Sequence, residues 1–480
     1  MFSRLPKNVF FAVNCLLTFL CIYGQNEERL PLNDSNLYNR YFYDTDLLSP
    51  GFFRKNRERL REKMPKGSVA VFFAAPEKIK SNDVLYEYHQ NPDFYYLTGL
   101  RETDAILLIF KDPVEIKGKK VKELMYVRER QPKYELWSGR RLGPEGVMQY
   151  LQLEMALASK DFLETTDLDF SKFKQIYWKE PDMMPVNDPF RQGDLYDLLN
   201  YFFIKTENVQ NKLNDKNLSQ WMAELREVKH PDELVLLQKA IDITCTAQIE
   251  LMKKLQPGMK EYQSEAIIEY IFKYSGAEEP GFPSILGSGE NSCILHYNTN
   301  RRPMKNNDLL IVDIGAEYHG YSADVTRTLP VNGKFSPEQK IIYDLVLKAQ
   351  EAGIEACRKG NKFWDPHYAA LKVIAEGLKE LGIINDPDQA NWYFPHGTSH
   401  YLGLDVHDAG TYGPLKPGNV ITVEPGIYIP EGSPCDKKWW NIGVRIEDDI
   451  LITEDDPVIL SIKAPRTTEE IEKLMNGQNP

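Results

Sequence analysis

Leu309-Leu310-Ile311-Val312-Asp313-Ile314-Gly315-Ala316-Glu317-Tyr318-His319-Gly320-Tyr321-Ser322-Ala323-Asp324-Val325-Thr326-Arg327-Thr328-Leu329-Pro330 is the stretch whose reading decides the fold. It opens as an apolar run rich in branched residues, Leu309 to Ile314. It closes as an alternating run, Ala323 to Leu329. Two glycines and the polar tip Glu317-Tyr318-His319 lie between them, so the segment reads as two strands joined by a turn. Asp313 stands inside the first strand and Asp324 opens the second. Folding about Tyr318 and His319 brings the two carboxylates together. A carboxylate in an apolar strand is unfavourable unless compensated, and two close together disfavour joint ionisation. A cation between them removes both objections.

Outward from the hairpin, the chain is ordinary in composition. Its 480 residues suggest two domains, and 42% hydrophobic with 27% charged residues suits a globular protein with ample core. A net charge of −12 with no long basic run argues against nucleic acid as a partner. At the N-terminus, Arg4 and Lys7 precede an apolar run from Val9 to Tyr23, then Gly24 and a polar stretch. This is the pattern of a secretory signal peptide over residues 1–24, and the run is short for a membrane span. A secreted or periplasmic location follows as the expectation, with no membrane contact beyond the signal. Export permits disulfides. Only Cys245, Cys293, Cys357 and Cys435 lie beyond the leader, widely spaced, and they read mainly as buried small residues with one pairing left open.

Residues 35–205 read as a first, smaller α/β unit. Strand-like runs fall at Ser68–Ala75, Ala105–Phe110 and Lys122–Val127, after a helix at Pro50–Glu62. Asn91–Gly99 and Trp137–Gly143 read as compact aromatic loops bounded by glycine. A polar boundary is expected near Lys205–Lys229. From there His230-Pro231-Asp232-Glu233 starts a helix with proline at its first position and acids in its first turn. Leu234, Leu237, Ile241, Cys245, Ile249 and Met252 recur at helical spacing. Further helices are expected at Tyr262–Tyr274, at Glu338–Arg358 behind the capping box Ser336-Pro337-Glu338-Gln339, and from Asp365 to Leu381. Strand-rich sequence then runs from Val420 to Leu460. Residues 217–475 therefore form an α+β domain around a mostly antiparallel sheet.

Three of the eight histidines crowd into Pro395–Asp408, a run that also holds two glycines. Glu424 ends an apolar strand just before Pro425-Gly426. Glu447 lies in the alternating run Gly443–Ile450, where the adjacent Asp448 and Asp449 favour a plain solvated strand face. Four carboxylates and one imidazole make an oxygen-rich set suited to manganese, magnesium, iron or cobalt. One cation would be overcharged by it. Two divalent cations sharing carboxylates balance it better, and a bridging hydroxide could then attack a carbonyl.

Asp313, Asp324, His400, Glu424 and Glu447 resemble the five ligands of the pita-bread metallopeptidases. Gly287–Asn291, Cys293–Tyr297, Ala323–Thr328 and Ser399–Asp408 narrow the resemblance to aminopeptidase P. Asn91–Gly99 and Trp137–Gly143 resemble that family's N-terminal domain. The resemblance implies a pita-bread catalytic domain with two divalent metal ions, usually manganese. Asp324, His400, Glu424 and Glu447 would hold one ion, and Asp313, Asp324 and Glu447 the other. Glu424 would also be the general base. His407 would hydrogen-bond the carbonyl or oxyanion, and His296 would hold the substrate near the scissile bond. His396 and Arg445 would line the pocket for a proline ring. Asp93 and Trp137 resemble residues that reach the site from the other domain or a neighbouring subunit. The implied substrates are peptides with a penultimate proline, and the implied assembly is a dimer or tetramer. Prolidase, on the same fold, is the alternative activity. A non-catalytic binder of this fold is disfavoured by the complete ligand set.

Overall fold

The computed structural model describes residues 41–181, 183–187 and 191–477, so the signal peptide expected at residues 1–24 lies outside the described residues. The first unit is a six-stranded mixed sheet. Its spatial order is Ala156–Ala158, Lys119–Val127, Ile106–Ile116, Ser68–Phe73, Gln175–Trp178, Leu213–Asn214. The wholly buried strand Ser68–Phe73 lies antiparallel to Ile106–Ile116 and parallel to Gln175–Trp178. Alternation along these strands splits the core. Val69, Val71, Ile106, Leu108 and Phe110 face one way, against Phe162, Phe170 and Phe202. Ala70, Phe72, Leu107 and Ile109 face the other, into a core that runs on without a break through the second unit.

Four expectations for the first unit need correction. Ile106–Ile116 and Lys119–Val127 extend beyond the apolar runs into a polar hairpin arm, turned by Lys117 and Gly118 at φ 46° and 74°. Asn91–Gly99 is not a loop. Pro92–Thr98 is a helix, with the Asn91 side chain accepting from Phe94 N and Gly99 closing it at φ 71°. Trp137 likewise sits in a short helix, Pro132–Ser138. The supposed boundary is also structured, because Lys216–Arg226 is a helix that buries Leu218, Met222 and Leu225.

In the second unit the helices Pro231–Lys254, Glu261–Tyr274, Pro337–Glu355 and Asp365–Glu380 lie where the periodicity places them, within a few residues at each end. Ser336 and Gln339 form the capping box, and a second one pairs His230 with Glu233. Every strand pair from Ile285 onward is antiparallel. Leu309–Ile314 pairs with Val325–Pro330 on one side and Ile285–Ser288 on the other.

The opening hairpin is broken once, and the break places the aspartates. Its tip is a separate short ladder, Glu317–Tyr318 with Tyr321–Ser322, turned by His319 and Gly320 at φ 50° and 86°. Between tip and base the strands cross so closely at Gly315 that a Cβ there would stand 1.7 Å from the Ala323 carbonyl oxygen. Only glycine fits. The second strand therefore starts at Val325, and Asp324 sits in the break instead of opening the strand. The run Gly443–Ile450 is broken in the same way, into Ile442–Arg445 and Asp448–Leu451, with Glu447 between them. Cys245, Cys293, Cys357 and Cys435 are all free thiols, and only Cys245 and Cys357 are buried. No helix among the described residues is long and apolar enough to cross a membrane.

Candidate metal centre

Asp313, Asp324, His400, Glu424 and Glu447 converge on one cavity of about 520 Å³. Asp313 and Asp324 come from the two sides of the hairpin break. Glu424 follows directly on the strand Val420–Val423, and Glu447 occupies the second break. Asp313, Asp324 and Glu447 form a buried floor at 7%, 6% and 2% exposure. His296 and His407 stand exposed at the rim. Ligand atoms of Asp324, His400 and Glu447 lie within 4.8 Å of one another. His400 Nε2 is 3.4 Å from Asp324 Oδ2 and 3.6 Å from Glu424 Oε1.

The donor chemistry fits metal ions. His400 Nδ1 is 3.0 Å from the Tyr401 carbonyl oxygen, which can only accept, so Nδ1 carries the proton. Nε2 then turns a lone pair toward two carboxylates, an arrangement that a cation between them completes. Asp313 Oδ1 and Asp324 Oδ1 are buried with no hydrogen-bond partner among the described residues. Burial first, then the charges of Asp313, Asp449 and Glu424, push the Asp324 carboxyl well above its ordinary range. Glu447 is pushed up by burial and by Asp324, Glu424 and Asp313. Burial lifts Glu424 to about 7 against the pull of His400 and Arg445. A cluster this acidic holds its charge only against cations.

Partners from distant segments fix the ligands. Thr326 Oγ1 donates to Glu447 Oε2 at 2.6 Å, and Glu447 N donates to Thr326 O at 3.1 Å. Asp324 N donates to Asp449 Oδ2 at 3.3 Å. Arg327, fully buried, donates to the carbonyls of Thr326, Glu447, Ala464 and Pro465 and to Asp448 Oδ1. Asp448 and Asp449 are thus buried structural groups, not the solvated face that their sequence suggests.

His396 and Arg445 line the cavity as expected, but they are linked through Tyr428, which sequence reading missed. Arg445 Nη1 donates to the Tyr428 hydroxyl at 2.9 Å, and Nη2 reaches Asp313 Oδ2 at 2.6 Å. His396 Nδ1 faces the Gly397 carbonyl at 2.8 Å and so carries the proton, which leaves Nε2 to accept from Tyr428 at 2.9 Å. Burial and the Arg445 charge lower His396 to about 4 and keep it neutral. The His407 ring lies 4.3 Å from that of His400, and its basicity is lowered by burial and by His400 and His296. The alternating threonines of Val325–Pro330 were the available hint to Thr326. Tyr428 had none, since its partners lie 17 and 32 positions away.

Within one chain the structure does not bring Asp93 or Trp137 into this cavity. Asp93 Oδ1 accepts from Arg226 Nη1 at 2.7 Å, and Arg226 also holds Asp405 and Asp408, which flank His407. Asp93 therefore supports the histidine loop from behind. Trp137 is 89% exposed and lines a separate cavity with Arg128, Arg141 and Arg191.

Comparison with known proteins agrees with this geometry. Residues 235–454 match metallopeptidase family M24, and residues 53–177 match the aminopeptidase P N-terminal domain. The chain is 37% identical to the Xaa-Pro aminopeptidase of Escherichia coli over 88% of its own length and 97% of that protein's. It is 32% identical to human Xaa-Pro aminopeptidase 3, covering 85% of this chain and 80% of that one. The solved Yersinia pestis proline aminopeptidase P II superposes with a TM-score of 0.81 at 35% identity, over 90% of this chain and 100% of that one. Aminopeptidase P from E. coli with the inhibitor Pro-Leu gives 0.80 at 35% identity, covering 90% and 99%. The pita-bread architecture and the metallo-aminopeptidase class follow. The chain belongs to the aminopeptidase P family of M24 metallopeptidases.

Proposed function

We propose that this protein is an exported Xaa-Pro aminopeptidase that removes the residue preceding a penultimate proline. The observation that carries the reading is the five-ligand cluster beside the Arg445–Tyr428–His396 chain, in a chain whose relatives are named for that activity. Asp324, His400, Glu424 and Glu447 would hold one divalent ion, and Asp313, Asp324 and Glu447 the second. The oxygen-rich donors favour manganese. Such a pair, when bound, would supply Lewis acidity and make a water acidic enough to act as the nucleophile.

The chain's own groups do the rest. Glu424, at the cavity wall, takes the proton of the attacking water and returns it to the departing proline nitrogen. His407 and His296, at the rim, hydrogen-bond the carbonyl oxygen as charge develops on it. The neutral His396 ring, fixed through Tyr428, offers a flat apolar wall to the pyrrolidine, which has no N–H to satisfy. The leader pattern of residues 1–24 supports export, and N-terminal sequencing of mature protein beginning near Gln25 would test it. A homo-oligomer is part of the same reading, supported by a tryptophan as exposed as Trp137.

Arg-Pro-Pro and Gly-Pro turnover with manganese tests the activity. Preference for the tripeptide is expected, and equal or better dipeptide cleavage points to prolidase. Protein purified without chelator should carry more than one metal ion per chain.

A further inference from the structure

Bond cleavage uses the floor and rim of the cavity, yet behind its His396 wall a run of packed aromatic rings that no catalytic step needs leads outward to the surface. His396 packs edge-on against Phe394 at 4.9 Å. Phe394 lies 5.4 Å from His367, and His367 lies 5.9 Å from Trp364 and 5.7 Å from Tyr368. His367 Nδ1, 3.0 Å from Thr398 Oγ1, ties this run to the site loop. The inner rings are buried or half-buried. The outer two are not, with Trp364 47% and Tyr368 64% exposed.

Gly397 connects the run to the cavity. It lines the cavity, and a Cβ placed there would meet the indole of Trp364 at 3.6 Å. The missing side chain leaves the indole uncovered on that side. Helix stability does not account for the tryptophan. It occupies the N-cap of Asp365–Glu380, makes no side-chain bond to the first turn, and stands where Ser, Asp or Asn would cap. Trp364 and Tyr368 are four positions apart, on one face of that helix, while Pro366, Ala370 and Ile374 fill the core.

We infer that Trp364, with Tyr368 beside it, is an aromatic shelf for the side chain that follows the proline, and that it favours apolar and aromatic residues there. The inference rests on the proline reading of the His396 wall given above. An extended peptide advances about 3.3–3.6 Å per residue. A chain whose proline lies against His396 and Gly397 therefore continues over the indole within one or two residues. Exposed aromatic rings continuous with a site are the usual means of holding a peptide by its apolar side chains.

The test uses the full chain with manganese and the peptides Ala-Pro-Yaa-Ala, with Yaa as Phe, Leu, Gly or Asp. For the wild type, kcat/KM for Phe and Leu should exceed that for Gly by on the order of tenfold. In Trp364→Ala the Phe-to-Gly ratio should fall toward one, mainly through KM, and Trp364→Phe should restore most of it. Thermal melting would verify that both variants are folded, as expected for an exposed residue. A wild type with no preference at Yaa, or a ratio that Trp364→Ala leaves unchanged, overturns the shelf. Failure to cleave any Xaa-Pro peptide would overturn the activity reading itself.

Discussion

Thr326→Val separates the support of the metal centre from its ligands. Thr326 is fully buried in the strand Val325–Pro330, opposite Asp313, and its hydroxyl donates to Glu447 Oε2 at 2.6 Å. Valine has nearly the same shape and suits a strand, so the fold is retained and one charge-assisted hydrogen bond is lost. Such bonds contribute about 1.5–3 kcal/mol, and loss of a ligand's supporting partner typically weakens metal binding by about 10- to 100-fold. The Arg445 Nε contact to the same hydroxyl, at 3.4 Å, is long and adds little. Without its donor the Glu447 carboxyl, already raised by burial and by Asp324, holds its proton more firmly. Metal and proton then compete, so the weakening should grow as pH falls. Titration of metal-free protein with manganese in a calorimeter, at two pH values, measures both effects. If affinity at both pH values stays within about twofold of wild type, Glu447 does not depend on Thr326 and the reasoning fails.

Other perturbations probe other parts. Asp324→Asn should abolish tight metal binding and activity, yet raise the melting temperature of the metal-free protein, because an amide never ionises and so escapes the cost of burying a carboxyl among like charges. A metal-free variant that melts below wild type would contradict the repulsion. Gly315→Ala should destabilise by more than about 3 kcal/mol or prevent folding, since its Cβ would meet the Ala323 carbonyl at 1.7 Å. A denaturant midpoint close to wild type would refute the close crossing. His319, at the hairpin tip, faces Glu278 Oε1 at 3.2 Å and Asp46 Oδ1 at 3.0 Å. Burial lowers it, but those carboxylates raise it above its ordinary value. Burial likewise raises Glu278, but His319 and Arg101 hold it at about 2. The histidine's contribution is complete below about pH 6.5 and fades as pH rises through its folded value. The glutamate's is complete above about pH 4.5 and fades as pH falls toward 2. Wild type and His319→Gln should therefore differ most in melting temperature between about pH 4.5 and 6.5, and a constant difference across pH would exclude this pairing.

Features fixed within a turn or two of chain were legible in the sequence. The Ser336–Gln339 capping box, the helix start at Pro231 and the hairpin turn each depend on partners a few positions away. That Asp313, Asp324, His400 and Glu424 belong to one site could be anticipated, because carboxylates and histidines in apolar or glycine-rich runs have few other uses, whereas the neighbours of Glu447 suggested a solvated face. Features that depend on distant partners were not legible. Asp448 reads as solvated until Arg327, 121 positions earlier, is placed against it. Arg445 shows no sign of its bonds to Tyr428 and Asp313. The strand breaks at Asp324 and Glu447 fall inside runs that the sequence pattern reads as continuous strands. Asn91–Gly99 is a different kind of miss, since cap, proline and glycine were all present and the aromatic residues drew attention from them.

Arg327 carries a consequence for how the protein comes into being. Its guanidinium touches the backbone of Glu447 at one end and the carbonyls of Ala464 and Pro465 at the other. A nascent chain that has emerged only as far as residue 460 already contains all five clustered acid and histidine side chains and both rim histidines, His296 and His407. It lacks two of the five acceptors that hold the arginine, and each buried N–H left unpaired costs about 1–3 kcal/mol. The frame around Glu447 therefore depends on residues that follow all five clustered side chains in the chain. A chain cut before Ala464 would keep the whole cluster of acids and histidines on a less firmly held frame.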